Sequence, residues 1–85
     1  MNWKEENNQL IKEFKFKNQE NLACFFLKIA KYSDEKDHHA NAEIFNCNTL
    51  RFVLFSHTSK IITQSDYLLA DAIDKIYNDF TVELK

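Results

Sequence analysis

At 85 residues the chain can bury one modest core, which predicts a single domain over residues 1–85 and makes association between copies a useful source of further stability. Apolar residues make up 45% of the sequence and charged residues 28%, with eight Phe, three Tyr and one Trp, a composition that folds and does not stay disordered. The 11 basic and 13 acidic residues are interspersed and leave a net charge of −2, so there is no basic stripe to neutralise phosphates, which argues against nucleic acid or an anionic lipid surface as a partner.

The first ten residues, MNWKEENNQL, place acids where a secretory signal would carry its apolar stretch. No apolar run along the chain approaches the ~18 residues of a membrane span. A soluble, cytoplasmic protein is expected. Glycine and proline are both absent, so turns must be made by Asn, Asp and Ser. Asn7-Asn8 can adopt the left-handed conformation of a tight turn, and beyond it Ile11, Glu13 and Lys15 alternate with Lys12, Phe14 and Phe16. The pattern predicts a hairpin of Trp3 to Glu6 with Leu10 to Phe16.

From Asn18 the period changes. Leu22, Phe25, Phe26, Ile29 and Ala30 recur at helical spacing, predicting an amphipathic helix from about Gln19 to Glu35 with Asn18 as its N-cap. After an aperiodic stretch from Asp37 to Asn41, Glu43 to Cys47 reads as a short strand and Asn46 to Thr49 as a turn. Leu50 to His57 reads as a second strand, with Leu50, Phe52, Leu54 and Ser56 on one face and Arg51, Val53, Phe55 and His57 on the other. Cys24 and Cys47 have no metal-ligand spacing and are read as reduced thiols. Thr63-Gln64-Ser65-Asp66 resembles a capping box, opening a helix whose stripe is Leu69, Ala72, Ile73, Ile76 and Phe80.

The resulting order is β-β-α-β-β-α. Helices with one apolar stripe each need a sheet to lie on, so the expected fold is α+β, a four-stranded antiparallel sheet with both helices packed on one face. Leu22, Phe25, Phe26, Ile29, Leu69, Ala72, Ile73 and Ile76 are then expected to bury against Leu50, Phe52 and Leu54. Val53 and Phe55, on the far face, suggest that this face or its edge is covered in a dimer or tetramer.

Of three histidines, two are adjacent, His38-His39, in the acidic run SDEKDHH. They follow the first helix, whose carbonyl end favours a cation, as do Asp34, Glu35 and Asp37. His57 ends the strand expected to lie close to this loop, so three imidazoles could meet in one pocket. From the residues alone the pair is also open to reading as an exposed complement to a helix end. A zinc site is disfavoured, because adjacent histidines rarely share an ion and no HxH or HxxxH spacing occurs. Asp66, by spacing alone, is a helix-start residue.

Asp34, three residues, His38-His39, a stretch to His57 and eight more residues to Asp66 together resemble the signature of the pterin-4a-carbinolamine dehydratases. Trp3, the strand FKF, the helix ending IAKYSDEKDHH and the block ITQSDYLLADAID are similar to that family's blocks in the same order. The resemblance implies dehydration of 4a-hydroxytetrahydropterin, the product left by aromatic amino-acid hydroxylases, to quinonoid dihydropterin, without metal or redox cofactor. It implies His38 and His57 as the acid/base pair and His39 as a catalytic-site residue that positions the pterin. Asp34 and Asp37 would orient imidazoles or the pterin, with Ser56 and Asp66 completing the substrate-binding set. It also implies a homodimer or homotetramer. Where the family usually has Pro, an aromatic residue and Gly, this chain has Ala40, Cys47 and Ile61, which motivates an alternative reading as a catalytically weak binding or regulatory protein.

Overall fold

A computed structural model describes residues 2–56 and 58–83. Along the chain run β1 (Lys4–Glu6), β2 (Gln9–Lys15), α1 (Gln19–Lys36), β3 (Asn41–Phe45), β4 (Thr49–Leu54) and α2 (Gln64–Glu83). The strands form one antiparallel sheet in the order β1-β2-β4-β3, with the expected β-β-α-β-β-α sequence of elements. Asn7 and Asn8 close the first hairpin between the paired residues Glu6 and Gln9. Their φ values of 52° and 61° suit the primed turn that matches strand twist. Asn46 and Cys47, at 54° and 57°, do the same service between β3 and β4.

Both helices lie on one face of the sheet. Leu10 and Phe14 of β2 and Leu50, Phe52 and Leu54 of β4 form a single buried cluster with Leu22, Phe25 and Ile29 of α1 and Leu69, Ala70, Ile73 and Phe80 of α2. Phe25 is its centre, with ring centroids 5.7 Å from Phe14, 5.3 Å from Phe16, 6.4 Å from Phe52, 5.5 Å from Tyr77 and 5.8 Å from Phe80. Those neighbours come from both central strands and from α2, so one side chain ties three elements to its own.

The N-terminal hairpin is fastened to α2 by polar contacts. Asp74 accepts from Trp3 Nε1 at 3.0 Å and from Lys12 Nζ at 2.7 Å, and the Lys12 ammonium stands 4.9 Å from the centroid of the Phe14 ring. Lys12 is on the helix-facing side of β2, where an unpaired ammonium would be costly. Asp74 and the aromatic faces make it acceptable there. The Tyr67 hydroxyl donates to Glu5 at 2.5 Å, and this bond pushes the phenol above its usual value of 10.0.

Several expected positions shift. Phe26, expected in the core, is 37% exposed and stacks on Phe52 from the side. The helices' cover stops short of β3: Ile44 pairs with buried Leu50 and so shares its face, yet is 52% exposed. On α2 the stripe is centred one residue earlier than expected, so Ala70 is fully buried while Ala72 and Ile76 are half-buried. β3 begins at Asn41, two residues before its expected start, and β4 ends at Leu54. The last strand stops there because the backbone of Ser56 turns to a loop partner, its N–H donating to Ile61 O at 2.8 Å and its carbonyl accepting from Lys60 N at 2.7 Å.

Two stability measurements follow from these positions. Phe25→Ala should lower the unfolding free energy by about 3–5 kcal/mol, and Phe26→Ala by less than half of that, because its ring keeps much of its exposure. Equal losses in urea titrations would contradict the packing described. Cys47→Gly should raise the unfolding free energy by about 0.5–1 kcal/mol, read as a higher urea midpoint at unchanged slope, since glycine removes the steric cost of a left-handed residue and returns part of it as chain entropy.

Candidate active site

Helix α1 opens with the Asn18 side chain accepting from Asn21 N at 2.8 Å. It closes with Asp37 in the left-handed conformation at φ 52°. There the N–H groups of Asp37 and His38 both turn back to the carbonyl of Ser33, the second at 3.1 Å. This is the terminus that lets a chain leave a helix sharply. It throws His38 and His39 sideways from the carbonyl end of α1. Ser33 itself is buried.

Helix α2 opens at the same end of the molecule. Thr63 is the residue before its first turn, and the backbone N–H and the hydroxyl of Thr63 donate to Asp66 Oδ2 at 2.9 and 3.0 Å. This is the acidic half of the expected capping box. Asp66 is only 1% exposed, and its second oxygen, Oδ1, stands 3.2 Å from His38 Nε2. A carboxylate stripped of water needs such compensation: two donors on one oxygen, an imidazole on the other, and the amide end of a helix around it.

Beside this junction is an open cleft of ≈ 450 Å³ lined by His38, His39, Phe55, Ser56, Thr58, Thr63 and Ser65. That volume lies within the ~300–1,000 Å³ usual for small-molecule sites. Its wall is one aromatic ring, two imidazoles and four hydroxyls, able to sandwich a flat polar ring and exchange protons with it. A smaller depression of ≈ 180 Å³, lined by Tyr32, Lys36, Leu68 and Leu69, shares His38 and Ser65 with the first, so His38 stands on the ridge between them.

Of the residues singled out in the sequence, His38, His39, Ser56 and Asp66 come together here. Asp34 is also close, its carboxylate 2.8 Å from His39 Nε2, but both side chains are largely in solvent, 79% and 56% exposed. Asp37 contributes its backbone, as the left-handed residue that ends α1. His57 lies outside the described residues; Ser56 and Thr58 on either side of it both line the cleft. Ala40, Cys47 and Ile61 are not among the described residues that line it. Ala40 instead borders a small cavity of ≈ 70 Å³ with Phe26, Ile29 and Phe52, and the left-handed residue of the preceding loop is Lys60, φ 58°. Among the described residues no group of three or more His, Cys, Asp or Glu is placed to hold a metal ion.

Sequence reasoning missed Phe55, Thr58, Thr63 and Ser65 as cleft residues. Thr63 and Ser65 were legible as a helix start, and only the meeting of that start with the end of α1 makes their hydroxyls part of a site. Phe55 sits one residue past the end of β4, where strand alternation no longer says which way a side chain points.

The family model for pterin 4 alpha carbinolamine dehydratase matches residues 1–76. A protein of Sulfolobus acidocaldarius named "Putative pterin-4-alpha-carbinolamine dehydratase" is 39% identical over 74 residues, covering 87% of this chain and 80% of its own. One of the same name from Prochlorococcus marinus is 37% identical over 76 residues, covering 89% and 79%. Among solved structures, a transcriptional coactivator/pterin dehydratase from Brucella melitensis superposes with a TM-score of 0.77 at 25% identity, over 87% of this chain and 80% of that one. A pterin dehydratase-like protein described as a RuBisCO assembly factor in the alpha-carboxysome has the same fold, with a TM-score of 0.69 at 20% identity over 87% and 84%. The match runs through the hairpin, α1, the segment that carries the two histidines and α2 as far as residue 76, and on that extent the chain belongs to the pterin-4a-carbinolamine dehydratase family.

Proposed function

We propose that this protein dehydrates a 4a-hydroxytetrahydropterin to the quinonoid dihydropterin by histidine acid/base catalysis, in the recycling of a pterin used by an aromatic amino-acid hydroxylase. The observation that carries the reading is the pair of imidazoles, His38 and His39, on one cleft walled by Phe55 and ringed with hydroxyls. Dehydration breaks the carbon–oxygen bond and a ring N–H bond, forms a carbon–nitrogen double bond and releases water. One proton must reach the leaving oxygen and one must leave the nitrogen, with no change of oxidation state. Two imidazoles on a flat ring can do both.

In this reading His38 and His57 exchange the protons and His39, held by Asp34, positions the pterin. Ser56 and the neighbouring hydroxyls supply donors and acceptors to its polar edge. Aromatic contact comes from Phe55. A second reading, a binding or regulatory role with weak catalysis, draws on the exposed apolar side chains Phe26, Leu27 and Ile44 and on the use of this fold by a protein described as an assembly factor. The exposed Phe26 and Ile44 beside the edge strand β3 support a homodimer or homotetramer, with the half-buried Val53 as a further contributor.

The assay is carbinolamine dehydration measured against the spontaneous rate, on protein dialysed against a chelator. His38→Ala and His57→Ala should each lower the rate by about 10²–10⁴-fold, the double variant by less than the product, and His39→Ala should act mainly by raising KM. Full activity in both single variants while folded, or no acceleration by the wild type, would leave the binding reading in its place. Sedimentation at micromolar concentration should give a dimer or tetramer, and a monomer alone would remove the assembly proposal.

A further inference from the structure

We propose that the depression of ≈ 180 Å³ across His38 from the cleft receives the side chain of the pterin, and that Tyr32, Lys36 and Leu68 decide which side chains are accepted. The proposal rests on the dehydratase reading and names the part of the substrate that this reading leaves unassigned. It begins from the chemistry of the ring. In a 4a-hydroxytetrahydropterin the nitrogen that loses its proton is bonded on one side to the carbon that loses the hydroxyl, and on the other to the carbon that carries the side chain. An imidazole placed at the reacting pair therefore has the root of the side chain beside it. His38 is such an imidazole, and it lines both the cleft and the depression, as does Ser65.

The lining suits a short chain with an apolar stem and oxygens toward its end. Leu69 is buried and Leu68 is 57% exposed, so the leucines offer a carbon surface of which one part is still wet. Tyr32 is half-buried. Neither its hydroxyl nor the Lys36 ammonium has a hydrogen-bond or ion-pair partner among the described residues, which leaves both as donors for a ligand. At ~30 Å³ for each water-sized group the depression holds roughly six, the size of a three-carbon chain with its hydroxyls.

Charge narrows the choice of oxygen. Lys36 is the last residue of α1, and the run around it also carries Asp34, Glu35 and Asp37. A phosphate or carboxylate at the end of the side chain would meet that negative charge, whereas hydroxyls accept from Lys36 and Tyr32 without it. The accepted substituent is accordingly a hydroxylated chain and not an anionic one.

The test compares two carbinolamines that differ only at this position, a methyl group in one and a trihydroxypropyl chain in the other, by kcat and KM. Titration of the corresponding dihydropterins gives the affinities without turnover. Tyr32→Phe and Lys36→Met should each raise KM and Kd for the hydroxylated compounds about three- to tenfold, the loss of one hydrogen bond, and leave the methyl compounds unchanged. Leu68→Trp, at an exposed position where the larger ring is tolerated, should fill the depression and show the same split. A phosphate added to the end of the chain should not tighten binding. Variants that move both compounds alike, or neither, would overturn the proposal, and a tenfold gain from the phosphate would overturn the hydroxyl assignment. A wild type that accelerates neither compound but binds the dihydropterins with this split would overturn the dehydratase reading and keep the subsite, and one that binds neither would remove both.

Discussion

The position of Phe25 constrains everything else in this small molecule. Its ring lies within 6.4 Å, centroid to centroid, of five other aromatic rings drawn from the central strands, the segment after β2 and α2. Aromatic pairs have preferred mutual angles as well as distances, so this cluster fixes how α1 and α2 lie on the sheet and against each other. With that arrangement set, the carbonyl end of α1 and the amide end of α2 arrive at one place. Their opposite partial charges are answered by opposite side chains, an imidazole at the first and a carboxylate at the second. The site is thus a by-product of core packing, assembled from groups that each helix would want at that terminus on local grounds.

That double duty explains why some of the site was legible in the sequence and some was not. The Asn7-Asn8 turn, the Asn18 cap and the helical stripe of α1 are local properties, set by residues a few positions apart, and each appears where its pattern puts it. The acidic half of the capping box was legible for the same reason. What local pattern could not give was the contact between Asp66 and His38, because it depends on how two helices far apart in sequence are brought together. Nor could it give the exposure of Phe26 and Ile44, which share apolar character with their neighbours and differ only in lying beyond the reach of the helices. The resemblance to a family bracketed His38, His39 and Asp66 in one signature but did not say that His38 and Asp66 stand 3.2 Å apart.

A chain without glycine must place side chains where the backbone turns left. Among the described residues six do so: Asn7, Asn8, Asp37, Asn46, Cys47 and Lys60. Asn and Asp tolerate that region through local hydrogen bonding, and Cys and Lys do so at greater steric cost. Asp37 and Lys60 occupy the two loops that flank the cleft, one just before the histidine pair and one just after the Ser56 turn. At both, a residue with a Cβ is held in a region less favourable than the right-handed and extended ones. The cleft is accordingly bounded by two corners that surrounding contacts must hold in place.

Trp3 packs in the core between the sheet and α2, and it is the only tryptophan in the chain. Its indole is 7% exposed and hydrogen-bonded to Asp74 beside the Lys12 ammonium, where the first hairpin is clamped to the second helix. An indole fixed next to a cation and a carboxylate has an emission that changes when that clamp opens, and Trp3 is not among the residues lining the cleft. The protein therefore carries a built-in optical gauge of its own integrity, with which damage to the scaffold can be told apart from damage to the chemistry without attaching any label.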